Sequence, residues 1–328
     1  MRAIGAFVAG LATISAQAAG VTLPGAPTPG AAFAGPSLIV SQTGPVTSGA
    51  LHYDRTDVWR VTLTPGGSAG PAERLITVRT SAGRLTAPTL ATRPDGAFAL
   101  IARGPNVAPA VIWCCDQTTG LQGVVESDGR PGARIPQALW VGEHRVRYVT
   151  IQGDDARLVD TTANQAGAPP GSRMTSTPKP GLSAISAQTV WWVEAPAYGD
   201  SRVVAEGHDV NGEIRVTRRL PQPGVVQALI ADDEQVVVVV RRAGGFEVRR
   251  ATGASLWAGP RRPLVAAGNG RVAIATGRTI VVRSGTVVRT IQTRETVRAL
   301  AVATGRVAWV GFTGRGIHRR TTIHWMAR

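Results

Sequence analysis

The chain has 328 residues, a formal net charge of +15 and 43% hydrophobic residues, with 39 glycines and 22 prolines. This length allows one or two domains with a large buried core, and the composition favours a turn-rich globular protein over a disordered chain. No apolar run reaches the roughly 20 residues that a membrane-spanning helix requires. The 36 basic residues stand mostly singly or in pairs, which disfavours nucleic acid as a partner.

The first 18 residues are typical of a secretion signal. Arg2 supplies a positive start, Ala3–Ile14 is apolar, and Ala16-Gln17-Ala18 fits a small-x-small cleavage site. A buried N-terminal helix is the alternative. The sequence therefore predicts a signal peptide over residues 1–18 and an exported protein, which would be periplasmic, held in the cell envelope or secreted. The Pro-, Gly- and Ala-rich residues 19–36 are predicted to be a linker or a closing arm.

A turn followed by an apolar strand recurs along the rest of the chain. From Phe98 onward, successive copies lie 35 to 48 residues apart. The first strand residue of each copy is Leu38, Phe98, Val146, Val190, Val236, Val272 or Val307. Most copies have a second apolar strand upstream and a third downstream, and turn dipeptides such as Asp95-Gly96 and Asn269-Gly270 join several of them. This is the pattern of a repeat protein made of antiparallel strands.

About seven repeats of three or four antiparallel strands are the signature of a β-propeller. Val236–Val240 is apolar at five successive positions, so this strand must be covered on both faces, as it is in stacked blades. The stretch RPDGAFALIA (Arg93–Ala102) resembles the repeat of Tol-type, WD-repeat-like propellers, although no Trp-Asp dipeptide occurs. The resemblance implies an architecture only. The predicted fold is all-β, with a single propeller of seven blades over residues 37–328; six or eight blades are alternatives.

Closure of the ring follows from the end of the sequence. After TTIHWMAR the seventh blade has no outer strand of its own. We therefore predict that part of Ala19–Val40 pairs there and protects an open edge.

The adjacent Cys114 and Cys115 follow a predicted third strand, Val111–Trp113. Side chains of successive strand residues point to opposite faces, so these two thiols cannot share a metal ion in regular strand. In an oxidising compartment they are a disulfide candidate, and two reduced cysteines, one packed and one at the edge, are the alternative.

Motifs for catalysis are absent from the sequence, and the five histidines are widely spaced. No cofactor or metal is therefore predicted. Asp232–Glu234 fits either a solvated hairpin turn or a calcium-binding one. Trp191 and Trp192, on alternate faces of a strand, are predicted to pack between blades.

Two long connections suggest a ligand site. Ser41–Asp57 in blade 1 and Gly311–Arg320 in blade 7 become neighbours when the ring closes. They would bring together a basic, aromatic-containing patch for an anionic or carbohydrate ligand, in which arginines hold carboxylate or phosphate and Tyr53 stacks. Two variable surface loops are the alternative. The patch consists of His52, Tyr53, Asp54, Arg55, Arg315, His318, Arg319 and Arg320.

The favoured function is an exported, non-catalytic and monomeric propeller that binds or scaffolds proteins or anionic envelope polymers. One alternative is an exported hydrolase or lyase, for which acid and base residues would converge on the central channel or the adjoining top face. The other is a polyanion binder that relies on net charge, whose binding would fall steeply with salt.

Overall fold

The computed structural model describes residues 13–14, 20–24, 28–48, 51–64, 68–81, 89–102, 110–114, 123–126, 135–142, 145–162, 171–176, 178–179, 181–194, 200–208, 214–232, 235–314 and 319–327. Regular secondary structure in these ranges consists of β-strands. Within the same ranges no helix is long and apolar enough to cross a membrane.

The described strands form seven sheets. The first two strands, β1 (Thr13–Ile14) and β2 (Gly20–Leu23), join the last two sheets, and the others follow in chain order from the inner to the outer edge of each sheet. Sheet 1 comprises β3 (Thr28–Ala34), β4 (Ser37–Ser48), β5 (Leu51–Thr62) and β6 (Glu73–Ser81). Sheet 2 comprises β7 (Thr89–Thr92), β8 (Phe98–Ala102), β9 (Ala110–Cys114) and β10 (Gly123–Glu126). Sheet 3 comprises β11 (Ile135–Val141), β12 (Arg145–Gln152), β13 (Asp155–Thr162) and β14 (Ser172–Arg173).

The remaining four sheets continue this meander of antiparallel strands. Sheets 4 and 5 comprise β15 (Ser183–Ile185), β16 (Thr189–Glu194), β17 (Arg202–His208) and β18 (Ile214–Pro221); and β19 (Val225–Asp232), β20 (Gln235–Arg242), β21 (Gly245–Arg250) and β22 (Ser255–Gly259). Sheets 6 and 7 comprise β23 (Leu264–Gly268), β24 (Arg271–Thr276), β25 (Thr279–Ser284) and β26 (Val287–Gln292), with β1 parallel to β26; and β27 (Ala299–Ala303), β28 (Arg306–Thr313) and β29 (Arg320–Ala327), with β2 antiparallel to β29.

The repeat in the sequence corresponds to the second strand of each sheet. Phe98 is the first residue of β8, and the aligned residues of the other copies are each the second residue of their strand, from Leu38 in β4 to Val307 in β28. The leucines upstream lie in first strands, as Leu90 does in β7 and Leu300 in β27. The predicted repeat is confirmed at these positions.

Apolar clusters fill the spaces between consecutive sheets and close the ring. One cluster lies between each pair of neighbours, and the last joins sheet 7 to sheet 1. Val236, Val238 and Val240 face sheet 4, whereas Val237 and Val239 face sheet 6, so the valine run is covered on both faces as predicted. Trp191 and Trp192 are 3% and 0% exposed and belong to clusters on opposite faces of sheet 4. Their predicted role in packing between sheets is confirmed.

The N-terminal segment contributes to two sheets. Gly20–Leu23 pairs with the end of the chain, from Gly20 opposite His324 to Leu23 opposite Thr321, and occupies the outer edge for which a closing strand was expected. Leu23 is 1% exposed within the cluster between sheets 7 and 1. The pairing covers the edge of β29.

Thr28–Ala34 differs from its predicted role as part of a linker or arm, because it forms β3, the innermost strand of sheet 1. The propeller thus begins before residue 37. The strand was not predicted because its small residues have the composition of a linker. A first strand beside a narrow channel tolerates such residues, and Ala31 and Ala32 line that channel.

Candidate functional site

The central channel has a volume of about 860 Å³ and is lined by the first strands of the sheets. Its described wall consists mainly of alanine, valine, leucine and isoleucine, with a few hydroxyl and amide side chains near the turns. The charged side chains in this lining are Arg93 and Arg306. Neither is suited to general acid or base catalysis, because arginine stays protonated at physiological pH.

Several arginines tie neighbouring sheets together on one side of the ring. This side, here called the turn face, carries the turns between first and second strands. Arg93 Nη1 donates to the Gly142 carbonyl at 2.8 Å, from sheet 2 to sheet 3. The equivalent donations run from Arg306 to Gly35, from Arg147 to Ala187 and from Arg250 to Gly270. Part of the arginine content therefore serves contacts between sheets.

Asp232 belongs to the same set of contacts. Its side chain is 1% exposed, and the carboxylate accepts a hydrogen bond from the Gly270 amide at 2.9 Å and pairs with Arg250 at 3.4 Å. The residue lies in the predicted hairpin Asp232–Glu234, whose other two residues are outside the described part of the chain. Among described residues, no group of three His, Cys, Asp or Glu side chains is placed to hold a metal ion.

Sheets 7 and 1 are neighbours, as the predicted patch requires. Gln42 Nε2 in β4 donates to Thr321 Oγ1 in β29 at 2.8 Å, and both side chains are buried. We call this contact region the 7/1 junction. It lies toward the opposite side of the ring from the turn face, on the linker face, which carries the connections between second and third strands.

The connection in sheet 1 is a long hairpin rather than the predicted loop over Ser41–Asp57. The two strands remain paired up to Ser48 opposite Leu51. Threonine and valine in this segment favour extended structure. Pro45 is tolerated because β3 pairs with β4 only up to Thr43, so that Pro45 lies at an edge. In sheet 7, β28 likewise extends through Thr313 before the connection begins.

Two of the patch residues predicted in sheet 1, Asp54 and Arg55, lie on opposite faces of β5, because successive strand residues alternate. Arg55 is exposed and pairs with Asp57 at 2.9 Å. Asp54 is only 5% exposed, because it shares a face of β5 with Val58, which packs toward sheet 2. Its predicted role as a ligand group stays a prediction, and the structure places it on a buried face of the strand. His52 and Tyr53 lie in β5, opposite Thr47 and Val46.

The predicted residues of sheet 7 include two described arginines. Arg319 and Arg320 are exposed, and Arg320 is the first residue of β29. The Arg319 guanidinium lies 4.4 Å from the centroid of the Phe312 ring, and that of Arg298 lies 5.9 Å from the same ring. Both distances fall within the range of cation–π interaction. Sequence reasoning missed Arg298 and Phe312, which lie just before one strand and near the end of another.

Other predicted residues fall outside the described part of the chain. These are Arg315, His318 and Cys115. Cys114 ends β9 opposite Phe98, so the predicted strand is present, and the disulfide stays a prediction.

Two Glu–His pairs lie between sheets, away from the channel. Glu206 and His208 have fully buried side chains with Oε1 and Nε2 3.2 Å apart, and Oε2 of Glu206 accepts from Thr175 Oγ1 at 2.8 Å. Burial alone would raise the pKa of Glu206, but hydrogen bonds from His208 and Thr175 outweigh it and leave the pKa below its ordinary value. Glu295 Oε2 lies 2.8 Å from His324 Nε2 between sheets 6 and 7. Spacing in the sequence gave no signal for the second pair, because its members come from different segments.

Comparison with known proteins identifies the fold. No family profile and no curated sequence matches the chain. The β-propeller domain of the Trilobed protease from Pyrococcus furiosus is similar in structure, at 11% identity and a TM-score of 0.57 over 89% of this chain and 96% of that domain. Acylaminoacyl peptidase from Pyrococcus horikoshii is similar at 11% identity and 0.55 over 87% of this chain, which spans about half (49%) of that protein. The Dos1 propeller matches at 7% identity and 0.51, over 93% and 94% of the two chains.

These likenesses and the ring of sheets define the protein as an all-β single β-propeller, which confirms the predicted class. At such low identities they establish the fold alone. The Tol-type or WD-repeat assignment stays a prediction.

Proposed function

We propose that this chain is an exported, non-catalytic propeller that binds an anionic polymer of the cell envelope at the 7/1 junction. We also propose that each of the seven sheets is one blade, since each starts at the channel and packs on two neighbours. The observation that carries the proposed function is the Arg298–Phe312–Arg319 stack beside this junction.

The stack is suited to recognising carboxylate or phosphate. A guanidinium whose face lies against an aromatic ring still has its N–H edge available for a bidentate contact with an anion. Arg298 and Arg319 are both exposed, and Arg55 and Arg320 are exposed on the two sheets that meet here. Because Arg55 is paired with Asp57, the positive charge offered to a ligand comes mainly from the sheet 7 side of the 7/1 junction.

The described lining of the channel contains no carboxylate or histidine that could act as the acid or base of the alternative hydrolytic function. The two charged residues of its described lining, Arg93 and Arg306, both donate to backbone carbonyls of neighbouring sheets. The alternative enzymatic function would need a carboxylate, histidine or nucleophile positioned on bound substrate.

Binding is tested by titrating the protein with polygalacturonate, a polycarboxylate, and with poly(glycerol phosphate), a polyphosphodiester. In the double variant Arg298→Gln/Arg319→Gln we expect affinity for the preferred polymer to fall at least about tenfold, since hydrogen bonds to charged groups contribute on the order of 1.5–3 kcal/mol each. The variant Arg173→Gln/Arg241→Gln removes the same charge from exposed positions on sheets 3 and 5.

Two results would contradict the proposed function. Equal weakening in both double variants would indicate binding by net charge alone. Release of shorter fragments from either polymer by the purified protein would indicate catalysis.

Export is supported by Arg2, the apolar Ala3–Ile14 and the small residues Ala16 and Ala18. Cleavage after Ala18 would remove β1 (Thr13–Ile14) and leave β2 intact, because β2 begins at Gly20. Expression of the full chain in a Gram-negative host, followed by N-terminal sequencing of the periplasmic fraction, should give a mature protein that starts at Ala19. Retention of Met1 in cytoplasmic protein would contradict export.

A further inference from the structure

The outer edge of sheet 4 is a long and exposed strand edge. β18 has eight residues, and the first six, Ile214–Arg219, are all exposed. It pairs with β17 on one side, and no described strand pairs with its other side. Ile214 and Val216 are 39% and 47% exposed, which places two large apolar side chains on this edge.

The outer edges of two other sheets receive an added strand, which is the fifth strand of sheet 6 and the fourth strand of sheet 7. β1 pairs with β26 at the outer edge of sheet 6, and β2 pairs with β29 at that of sheet 7. In both cases an extended segment from a distant part of the chain supplies the backbone partner. The outer edges of these sheets therefore have the geometry for strand addition, the mode by which extended peptides bind open sheet edges.

The charge of β18 indicates which kind of peptide segment would bind to its open edge. The strand carries Arg215, Arg218 and Arg219 and no acidic residue. The Arg219 side chain is 51% exposed although it lies 3.3 Å from Glu194. An acidic segment would complement this row of charges.

The same charges disfavour a second copy of this chain as the occupant. Antiparallel pairing of two β18 edges centred on Arg218 would place Arg218 of one copy directly opposite Arg218 of the other, and like charges directly opposite destabilise a sheet. A bulge where Gly207 and His208 meet β18 further limits regular pairing to the part from Val216 onward.

We propose that the edge of β18 from Val216 to Leu220 is a docking site for an extended acidic segment of a partner protein. The segment adds to sheet 4 as a fifth strand through backbone hydrogen bonds. Its acidic side chains lie on the face of the sheet that carries Arg219, and its apolar side chains lie on the opposite face, against Val216 and Leu220. This surface is separate from the 7/1 junction and does not depend on the ligand proposed there.

The probe is a fluorescein-labelled synthetic hexapeptide, Glu-Val-Asp-Ile-Glu-Val, whose binding is followed by fluorescence anisotropy. Two further peptides carry N-methyl groups on either the odd or the even amides. In strand addition only alternate amides face the protein edge, so one methylated peptide should lose binding and the other should keep it. Equal affinity of all three peptides would overturn the proposal, because side-chain attraction alone does not distinguish them.

Protein variants locate the site. Arg218→Glu/Arg219→Glu should weaken binding of the acidic peptide at least about tenfold and should create binding of a Lys-Val-Lys-Ile-Lys-Val peptide. The control Arg173→Glu/Arg241→Glu makes the same charge change elsewhere. Equal losses in both variants, or no binding of the acidic peptide to the parent protein, would overturn the proposal. A dimer in sedimentation experiments that Arg218→Glu/Arg219→Glu dissociates would show that a second copy occupies the edge, and this result would overturn it as well.

Discussion

At the scale of single residues, Gly311 shows how a missing side chain fixes a contact between sheets. Glu295 comes from the segment that joins sheets 6 and 7, and its Oε2 approaches Thr322 Oγ1 at 3.3 Å as well as His324. A Cβ on Gly311 would lie 2.6 Å from this oxygen and 3.0 Å from the Cβ of Glu295. The glycine therefore makes room for the carboxylate.

The substitution Gly311→Ala should lower the free energy of unfolding by about 1–3 kcal/mol, because the added methyl group displaces Glu295 from His324. Chemical denaturation of the purified variant measures this loss. Gly244→Ala is the matched control, since a Cβ there meets no atom within 4 Å. If the two variants have the same stability, the contact contributes nothing measurable.

The buried Glu206 gives a pH-dependent prediction. Its pKa in the folded protein is below the ordinary value of 4.5, so the unfolded chain binds the proton more tightly. The stabilisation is complete above that ordinary value and is lost as the pH falls through the lower, folded value. Glu206→Gln should therefore reduce stability at pH 7 and flatten its decline below pH 4.5.

Urea denaturation at several pH values measures this effect. The control Glu73→Gln removes an exposed carboxylate that pairs with Arg60. An acid decline of the same steepness in Glu206→Gln and in the parent protein would show that other groups cause it.

Residue-level predictability depends on whether a contact is local. Strand alternation predicted the opposite placement of Trp191 and Trp192, because period two is visible within a few residues. The contact of Asp232 with Gly270 spans 38 residues and was missed. In the sequence, Asp232 stands in a polar turn that would be expected to be solvated. Its burial results from the neighbouring sheet, which a local pattern does not reveal.

At the scale of elements, the closing strand is the most testable feature. β2 contributes four register pairs with β29 and the buried Leu23. A protein that starts at Gly25 should melt several degrees below one that starts at Gly20, because loss of a buried leucine alone costs about 2–5 kcal/mol. Calorimetry on the two truncations isolates β2, since both lack β1. Identical melting temperatures would exclude a closing role.

Elements in which a continuous apolar run follows a turn were predictable, and the others were not. The second strands carry valine, isoleucine and leucine after a turn, and each was placed within one residue of its start. β3 was assigned to a linker because its sequence, TPGAAFA, has the composition of one. The hairpin of β4 and β5 was assigned to a loop because glycine, proline and serine outweighed its threonines and valines.

At the scale of the whole molecule, the ring explains why the repeat is degenerate. Each sheet needs apolar faces on both sides, and any combination of valine, alanine, tryptophan or leucine that fills the gap will serve. The sequence could therefore predict the class of fold from the spacing of strands. The proposed ligand patch was only partly predictable, because no motif marks Phe312 within the predicted connection, and Arg298 comes from the segment before β27.

A closed ring should unfold as one unit. In an open row of repeats, a weakened interface can separate the two sides, whereas in a ring every sheet keeps a second neighbour. Phe98 is 0% exposed between sheets 1 and 2, and Ile280 is 0% exposed between sheets 6 and 7. Phe98→Ala and Ile280→Ala should each lower the melting temperature by roughly 5–10 °C while keeping a single transition.

Differential scanning calorimetry with hydrogen exchange at β8 and β24 measures both quantities. Val287→Ala, at a residue 50% exposed, should leave the melting temperature within about 1 °C, because surface substitutions have small effects. Two resolved transitions in Phe98→Ala, with β24 still protected after β8 has exchanged, would show that the sheets on one side of a weakened junction stay folded alone. The ring would then behave as a row of repeats, in which contacts across the 7/1 junction do not couple the unfolding of sheet 2 to that of sheet 6.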